Sequence, residues 1–219
     1  MFRDRRDAGI QLAGRLKHYK DYEGALVLAL PRGGVVTGFE IAHYLNAPLD
    51  VLIVRKIGFP GQPELAIGAI SETETVVLNQ SIISVYGVSN DYIQGEISRQ
   101  KEEIIRRVEL YRKGKKILEI EGKTIILVDD GVATGATVKA AIATLKKEKI
   151  KKLVVAMPVA PPDTAKELKG MVDEFICLET PWDFMAVGSY YDDFTQVSDT
   201  EVVEMLQKSL SRIYTKANE

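Results

Sequence analysis

From Ile125 to Thr137 the chain reads Ile-Ile-Leu-Val-Asp-Asp-Gly-Val-Ala-Thr-Gly-Ala-Thr. An apolar strand ends in two acids, passes through a loop of small residues and enters a helix near Ala136. Each part has a chemical use. Gly131, Ala133, Gly135 and Ala136 leave the main chain uncovered, so successive N–H groups can converge on one anion. The start of a helix adds its positive end at the same point. Thr134 and Thr137 add hydroxyl donors. The carboxylates of Asp129 and Asp130 would repel phosphate oxygens and need another partner, either the vicinal hydroxyls of a sugar or a hydrated cation. The pattern predicts a site for a phosphorylated ribose. It is not a Walker A loop, which needs Gly-Lys-Ser/Thr, nor a Gly-x-Gly-x-x-Gly fingerprint.

Other stretches could serve such a site. Leu30-Pro31-Arg32-Gly33-Gly34 closes the first predicted strand and offers a cation beside bare glycine amides; a helix-capping turn with an exposed Arg is the plainer reading. Arg55-Lys56 follows the second predicted strand and leads into Gly58-Phe59-Pro60-Gly61-Gln62-Pro63. Two cations could neutralise a diphosphate, and the Gly/Pro punctuation suits a lid over about 57–67. A surface hairpin with solvated charges explains the same residues. Residues 179–197, with Pro181, Trp182, Phe184, Gly188 and the run Tyr190-Tyr191-Asp192-Asp193-Phe194, break the regular rhythm of the chain. They are predicted to form a small hood over the C-terminal edge of the sheet, where open α/β sheets bind ligands.

The elements that must position these residues are legible from period and composition. Near-continuous apolar runs at 25–30, 50–54, 124–128, 153–157 and 174–178 suit strands covered on both faces. A weaker pair at 68–70 and 75–78 suggests a short hairpin. Between the runs, helical offsets place Leu12, Ala13, Leu16 and Tyr19 on one face, Val35, Phe39 and Ala42 on another, and Val138, Ala141, Ile142 and Leu145 on a third. A long helix is predicted over about 90–112, burying Ile93, Ile97, Ile104, Val108 and Tyr111. Ser198-Asp199-Thr200-Glu201 is a capping box for a last helix with the face Val203, Leu206, Leu210 and Ile213. The expected fold is α/β, a doubly wound, mostly parallel five-stranded sheet, forming one domain over 1–219.

Bulk composition narrows the function. With 29 basic and 31 acidic residues in 219, no broad basic footprint for nucleic acid is expected. The apolar runs are too short to span a bilayer and no signal peptide is evident, so a cytoplasmic protein without membrane partners is the simplest expectation. His18 and His43 are the only histidines and lack companions for a metal site or a Ser-His-Asp triad. Cys177, the single cysteine, lies in an apolar run and reads as a small core residue.

Taken together, Val128–Thr137 resembles the PRPP-binding signature of type I phosphoribosyltransferases. The resemblance implies that Asp129 and Asp130 hold the ribose hydroxyls while Gly131 and Ala133–Thr137 hold the 5′-phosphate. It implies that Pro31–Gly34 is the pyrophosphate loop, with a cis Pro31–Arg32 peptide, and that Arg32, Lys56 and Arg55 are catalytic cations. The hood residues Trp182, Phe184, Met185 and Ala186 would face the base. Asp192 would join Asp129 and Asp130 around Mg²⁺, the implied cofactor, mostly through water or PRPP. Family members are commonly dimers, which implies a homodimer. Ala133 stands where the 6-oxopurine enzymes carry an Asp, a pattern nearer the adenine type. The implied activity is transfer of a 5-phosphoribosyl group from PRPP to a nitrogenous base with loss of pyrophosphate. Two alternatives share these residues: a non-catalytic PRPP or nucleotide sensor, and an isomerase-like phosphosugar enzyme.

Overall fold

The computed structural model describes the backbone of residues 1–216, with side chains except those of Glu64 and 212–216. The strands in chain order are β1 (Ala25–Ala29), β2 (Leu49–Val51), β3 (Val54–Phe59), β4 (Gln62–Ser71), β5 (Val76–Leu78), β6 (Thr124–Val128), β7 (Lys152–Val159) and β8 (Glu174–Glu179). The helices are α1 (Arg5–Arg15), α2 (Gly33–Leu45), α3 (Gln80–Tyr86), α4 (Asn90–Arg112), α5 (Ala136–Leu145), α6 (Pro162–Met171) and α7 (Asp199–Lys216). They belong to two compact units. The first holds residues 1–51, 117–135 and 149 onward; the second holds 52–116 and 136–148.

The first unit is built on the expected five-stranded parallel sheet, in the order β2-β1-β6-β7-β8. β1 and β6 are buried along their whole length, which is why their sequences are apolar without alternation. Their register pairs Ala25 with Thr124 and Ala29 with Val128, so both strands end level. From β1 the chain winds outward to β2 on one side, while β6, β7 and β8 follow in turn on the other. The reversal falls between β1 and β6, which makes their C-terminal ends the topological switch point of the sheet. α1 packs on α2, and α2 on β1 and β6. The approach of α1 to α2 is close because Gly9 has no side chain: a Cβ there would lie 2.8 Å from the Thr37 carbonyl oxygen.

The second unit is a three-stranded antiparallel sheet, β3-β4-β5, with α4 and α5 packed on it. The weakly patterned pair at 68–70 and 75–78 is its β4–β5 hairpin, with Gly68 opposite Leu78. Residues 57–67, expected as a lid, form most of the β3–β4 hairpin. α4 spans the predicted residues, started by Ser89, whose hydroxyl accepts from the Tyr92 amide, and ended by a left-handed Lys113.

One expected strand is corrected. Residues 50–54 are not continuous: β2 stops at Val51, and β3 begins in the other sheet at Val54. Asp50 decides the break. Its carboxylate is buried and accepts from the amides of Val51 and Leu118, while two residues on the Ile53 amide donates to Glu72. α7 carries the predicted capping box, with Ser198 and Glu201 each bonded to the other's amide. Val202 and Leu206 are buried on its inner face; Ile213 lies outside the described side chains. Cys177 is half-buried, and its thiol donates to the Glu179 carbonyl; burial pushes it up to about 12, so it is an inert thiol. Among the described residues, no helix is long and apolar enough to cross a membrane.

Candidate active site

Two loops leave the switch point side by side, Leu30–Gly34 after β1 and Asp129–Gly135 after β6. The Leu30 amide donates to the Val128 carbonyl and ties their bases together. The glycines of the first loop are required by the second. A Cβ on Gly34 would stand 2.8 Å from Asp129 Cα, and one on Gly33 would collide with Asp130 Oδ2. The Pro31–Arg32 peptide is cis, as expected. Arg32 is the N-cap of α2, so the opening amides of a 13-residue helix and its positive end lie at this loop.

The two acids have different surroundings. Burial pushes the Asp129 carboxyl well above the usual carboxylate range, and the neighbouring charge of Asp130 adds to the shift. Its Oδ1 accepts from the Asp130 amide at 2.9 Å. Asp130 is instead paired: Arg5 Nε lies 2.6 Å from its Oδ2, with both side chains largely buried. Arg5 Nη1 donates to the Thr195 carbonyl, and its guanidinium lies 3.8 Å from the centre of the Phe194 ring. From the hood, the Tyr191 hydroxyl donates to the Asp130 carbonyl at 2.5 Å. The phenol is pushed up by burial, with the Asp130 charge second.

The small-residue loop is anchored without side-chain bulk. The Val132 amide donates to the Val159 carbonyl at the end of β7, which removes it from any anion. Ala133 offers its carbonyl to the Thr164 hydroxyl of α6. Gly131 (φ +147°) and Gly135 (φ +75°) occupy backbone conformations that a side chain resists, and Gly131 is also covered by Val187 of the hood. Ala133, Thr134 and Thr137 are exposed, Gly135 is buried, and the chain enters α5 at Ala136.

Residues 6–193 match the phosphoribosyl transferase domain family. The chain belongs to that family. Two Mycobacterium tuberculosis proteins, from strains H37Rv and CDC 1551 and both provisionally named phosphoribosyl transferases, are each 44% identical to it over 209 residues. That match takes in 95% of this chain and 47% of theirs, so the chain spans about half the length of the curated relatives it matches. The crystal structure of the Thermus thermophilus protein TT1426 is 42% identical, with a TM-score of 0.86, covering 95% of this chain and 98% of that one.

In this chain the first unit brings together Pro31, Arg32, Gly33, Gly34, Asp129, Asp130, Gly131, Ala133 and the hood. Arg55 and Lys56 lie in the second unit. As adjacent strand residues they face opposite sides of β3. Arg55 turns to α4, where its Nε donates to Gln100 at 2.8 Å beside a cavity of about 380 Å³ lined also by Arg99 and Arg106. Trp182 and Met185 of the hood are exposed, whereas Phe184 stacks on Tyr190 and packs on the cluster of Phe2, Val159 and Tyr191. Asp192 is exposed, and its amide is bonded to the Phe2 carbonyl.

Asp130 is engaged by Arg5, and among the described residues no cluster of three acid, His or Cys groups is placed to hold a metal by side chains alone. Arg5 and Tyr191 were not singled out from the sequence as site residues. Arg5 sits in an ordinary charged run at the start of a helix, 125 residues from its partner, and no local signal marks it.

Proposed function

We propose that the chain transfers a 5-phosphoribosyl group from PRPP to a nitrogenous base, releasing pyrophosphate. The observation that carries this reading is the convergence of the acid pair and the Pro-Arg-Gly-Gly loop at the switch point of the sheet, so tightly that neither Gly33 nor Gly34 has room for a side chain. One loop suits a sugar and its phosphate, the other a second anionic group. PRPP carries both on one ribose.

In this reading the carboxylates of Asp129 and Asp130 take the ribose hydroxyls, and the amides of Gly131 and Ala133–Thr137, without Val132, take the 5′-phosphate. Breaking the C1′–O bond leaves an oxocarbenium-like sugar and places negative charge on the departing pyrophosphate. The amides at the start of α2 and the Arg32 guanidinium stabilise that charge, and losing one such donor typically costs about 3 kcal/mol in the transition state. Holding the ribose at both ends supplies orientation. Mg²⁺ enters with the diphosphate as part of the substrate. A role for Lys56 as a further cation rests on the family resemblance alone, and the geometry of Arg55 favours its partner on α4 over a catalytic one.

The test mixes the protein with Mg-PRPP and a panel of purine and pyrimidine bases and follows pyrophosphate release. Turnover with at least one base, abolished in Asp129→Asn/Asp130→Asn, is the expected result. Tight PRPP binding without turnover on any base would identify a sensor instead. Equal affinity for ribose 5-phosphate and PRPP, unaltered by Arg32→Ala, would point to an isomerase-like phosphosugar enzyme.

A further inference from the structure

We infer that Arg5 is the positioning residue that makes the site selective for a ribosyl over a 2-deoxyribosyl ligand, an inference that rests on the PRPP reading above. Arg5 and two of its contacts, Phe194 and Thr195, lie outside the residues 6–193 matched by the family. The geometry that carries the inference is the way Arg5 is itself held. Its Nε is spent on Asp130 Oδ2 at 2.6 Å, its Nη1 on the Thr195 carbonyl at 2.8 Å, and its planar face on Phe194 at 3.8 Å. A guanidinium pinned at two edges and one face cannot follow a mobile carboxylate; it fixes the carboxylate to itself.

The consequence falls on Asp130. One oxygen is fixed by Arg5 and the main-chain carbonyl is fixed by Tyr191, so the orientation of the other oxygen is set before any sugar arrives. Gly33 contributes by omission: a Cβ there would occupy the place of Asp130 Oδ2 and lie 2.9 Å from Arg5 Nε. The Arg5 charge also acts on the buried Asp129, opposing the rise that burial and the Asp130 charge impose on it. The segment carrying Arg5 is built into the hood, with the Phe2 amide on the Tyr190 carbonyl and the Asp192 and Asp193 amides on Phe2 and Arg3. A preorganised acceptor discriminates against a ligand lacking the matching hydroxyl, because the acceptor is then left buried and unpaired.

The experiment measures affinity for ribose 5-phosphate, 2-deoxyribose 5-phosphate and inorganic phosphate by calorimetry, in wild type, Arg5→Ala, Arg5→Lys, Asp130→Asn and Arg5→Ala/Asp130→Asn. Wild type is expected to prefer the ribosyl ligand at least tenfold. Arg5→Ala is expected to bring that ratio to within twofold of unity, while affinity for inorganic phosphate changes less than twofold. Arg5→Lys retains the charge without the fork and answers the same question if the alanine variant is unstable; its ratio should fall at least threefold. Adding Arg5→Ala to Asp130→Asn should lower the ratio no further. A ratio preserved in Arg5→Ala or Arg5→Lys while both sugars weaken equally would reduce Arg5 to a structural contact and leave the PRPP reading standing. Wild type that binds neither sugar phosphate would overturn both.

Discussion

Asp129 shows how a candidate site residue can work against the fold that holds it. Its folded pKa is raised, so the native state favours the protonated carboxyl more than the unfolded chain does. The stability gained from the neutral form is complete below the unfolded value of about 3.9 and is lost as pH rises through the raised folded value. Asp129→Asn, which cannot ionise, should therefore be more stable than wild type, with a gap that widens towards alkaline pH. A gain of about 1 kcal/mol would appear as roughly 2–4 °C in Tm in a chain of this size. The same variant should lose affinity for ribose 5-phosphate. A gap in Tm independent of pH would show that the carboxyl is not held out of its charged form. Tyr191→Phe removes the hydroxyl on the Asp130 carbonyl and leaves that acceptor unpaired. It should cost about 1–2 kcal/mol in denaturant melts without changing the fold.

At the scale of elements, the contact of α1 with α2 is what delivers Arg5 to Asp130. Gly9→Ala would bring a methyl group 2.8 Å from the Thr37 carbonyl oxygen and 2.9 Å from Glu40 Cβ. The two helices must separate to admit it, at a cost of about 1–3 kcal/mol, and Arg5 moves with α1. A thermal melt and the ribose 5-phosphate affinity should both decline, whereas Gly14→Ala on the same helix, with nothing within 4 Å, should leave the affinity unchanged and the melt no lower. Several elements were readable from local pattern. The bounds of α4 follow from a serine cap, a helical apolar stripe and a basic end within one stretch of chain. The break at 52–53 was not readable, because Asp50-Val51-Leu52-Ile53-Val54 is apolar enough to pass for one strand. Only the distant partners, Leu118 for Asp50 and Glu72 for the Ile53 amide, show where it divides.

At the scale of the whole molecule, each compact unit is assembled from separated stretches of chain, 52–116 with 136–148 in one case. α5 supplies Val138, Ala141, Ile142 and Leu145, all buried, and packs on β3 and β4. A fragment limited to residues 52–116 lacks that helix and leaves the apolar face of β3 and β4 uncovered. It should show little cooperative melting by circular dichroism; a sharp transition would mean that α5 is dispensable to the unit. Within the same unit Glu72 and Arg112 form an ion pair in which both side chains are over nine-tenths buried. Glu72→Ala removes this buried carboxylate from Arg112 and from the Ile53 amide, and should cost about 3–5 kcal/mol, seen as a Tm lower by roughly ten degrees.

Features that depend on near neighbours in the chain were legible without the fold. An apolar run that ends in Asp129 and Asp130, the small loop behind them and the bare glycines after Pro31 have chemistry that is local, and local chemistry survives translation into one dimension. Which charges meet was settled only by folding. It carried Arg5 to Asp130 across 125 residues, took the Val132 amide for β7 and turned Arg55 towards Gln100. The physical reason is that a long cationic side chain has no periodicity that names its partner. Its pairing is settled by which surfaces the buried strands and helices bring within hydrogen-bonding reach, and that is a property of packing.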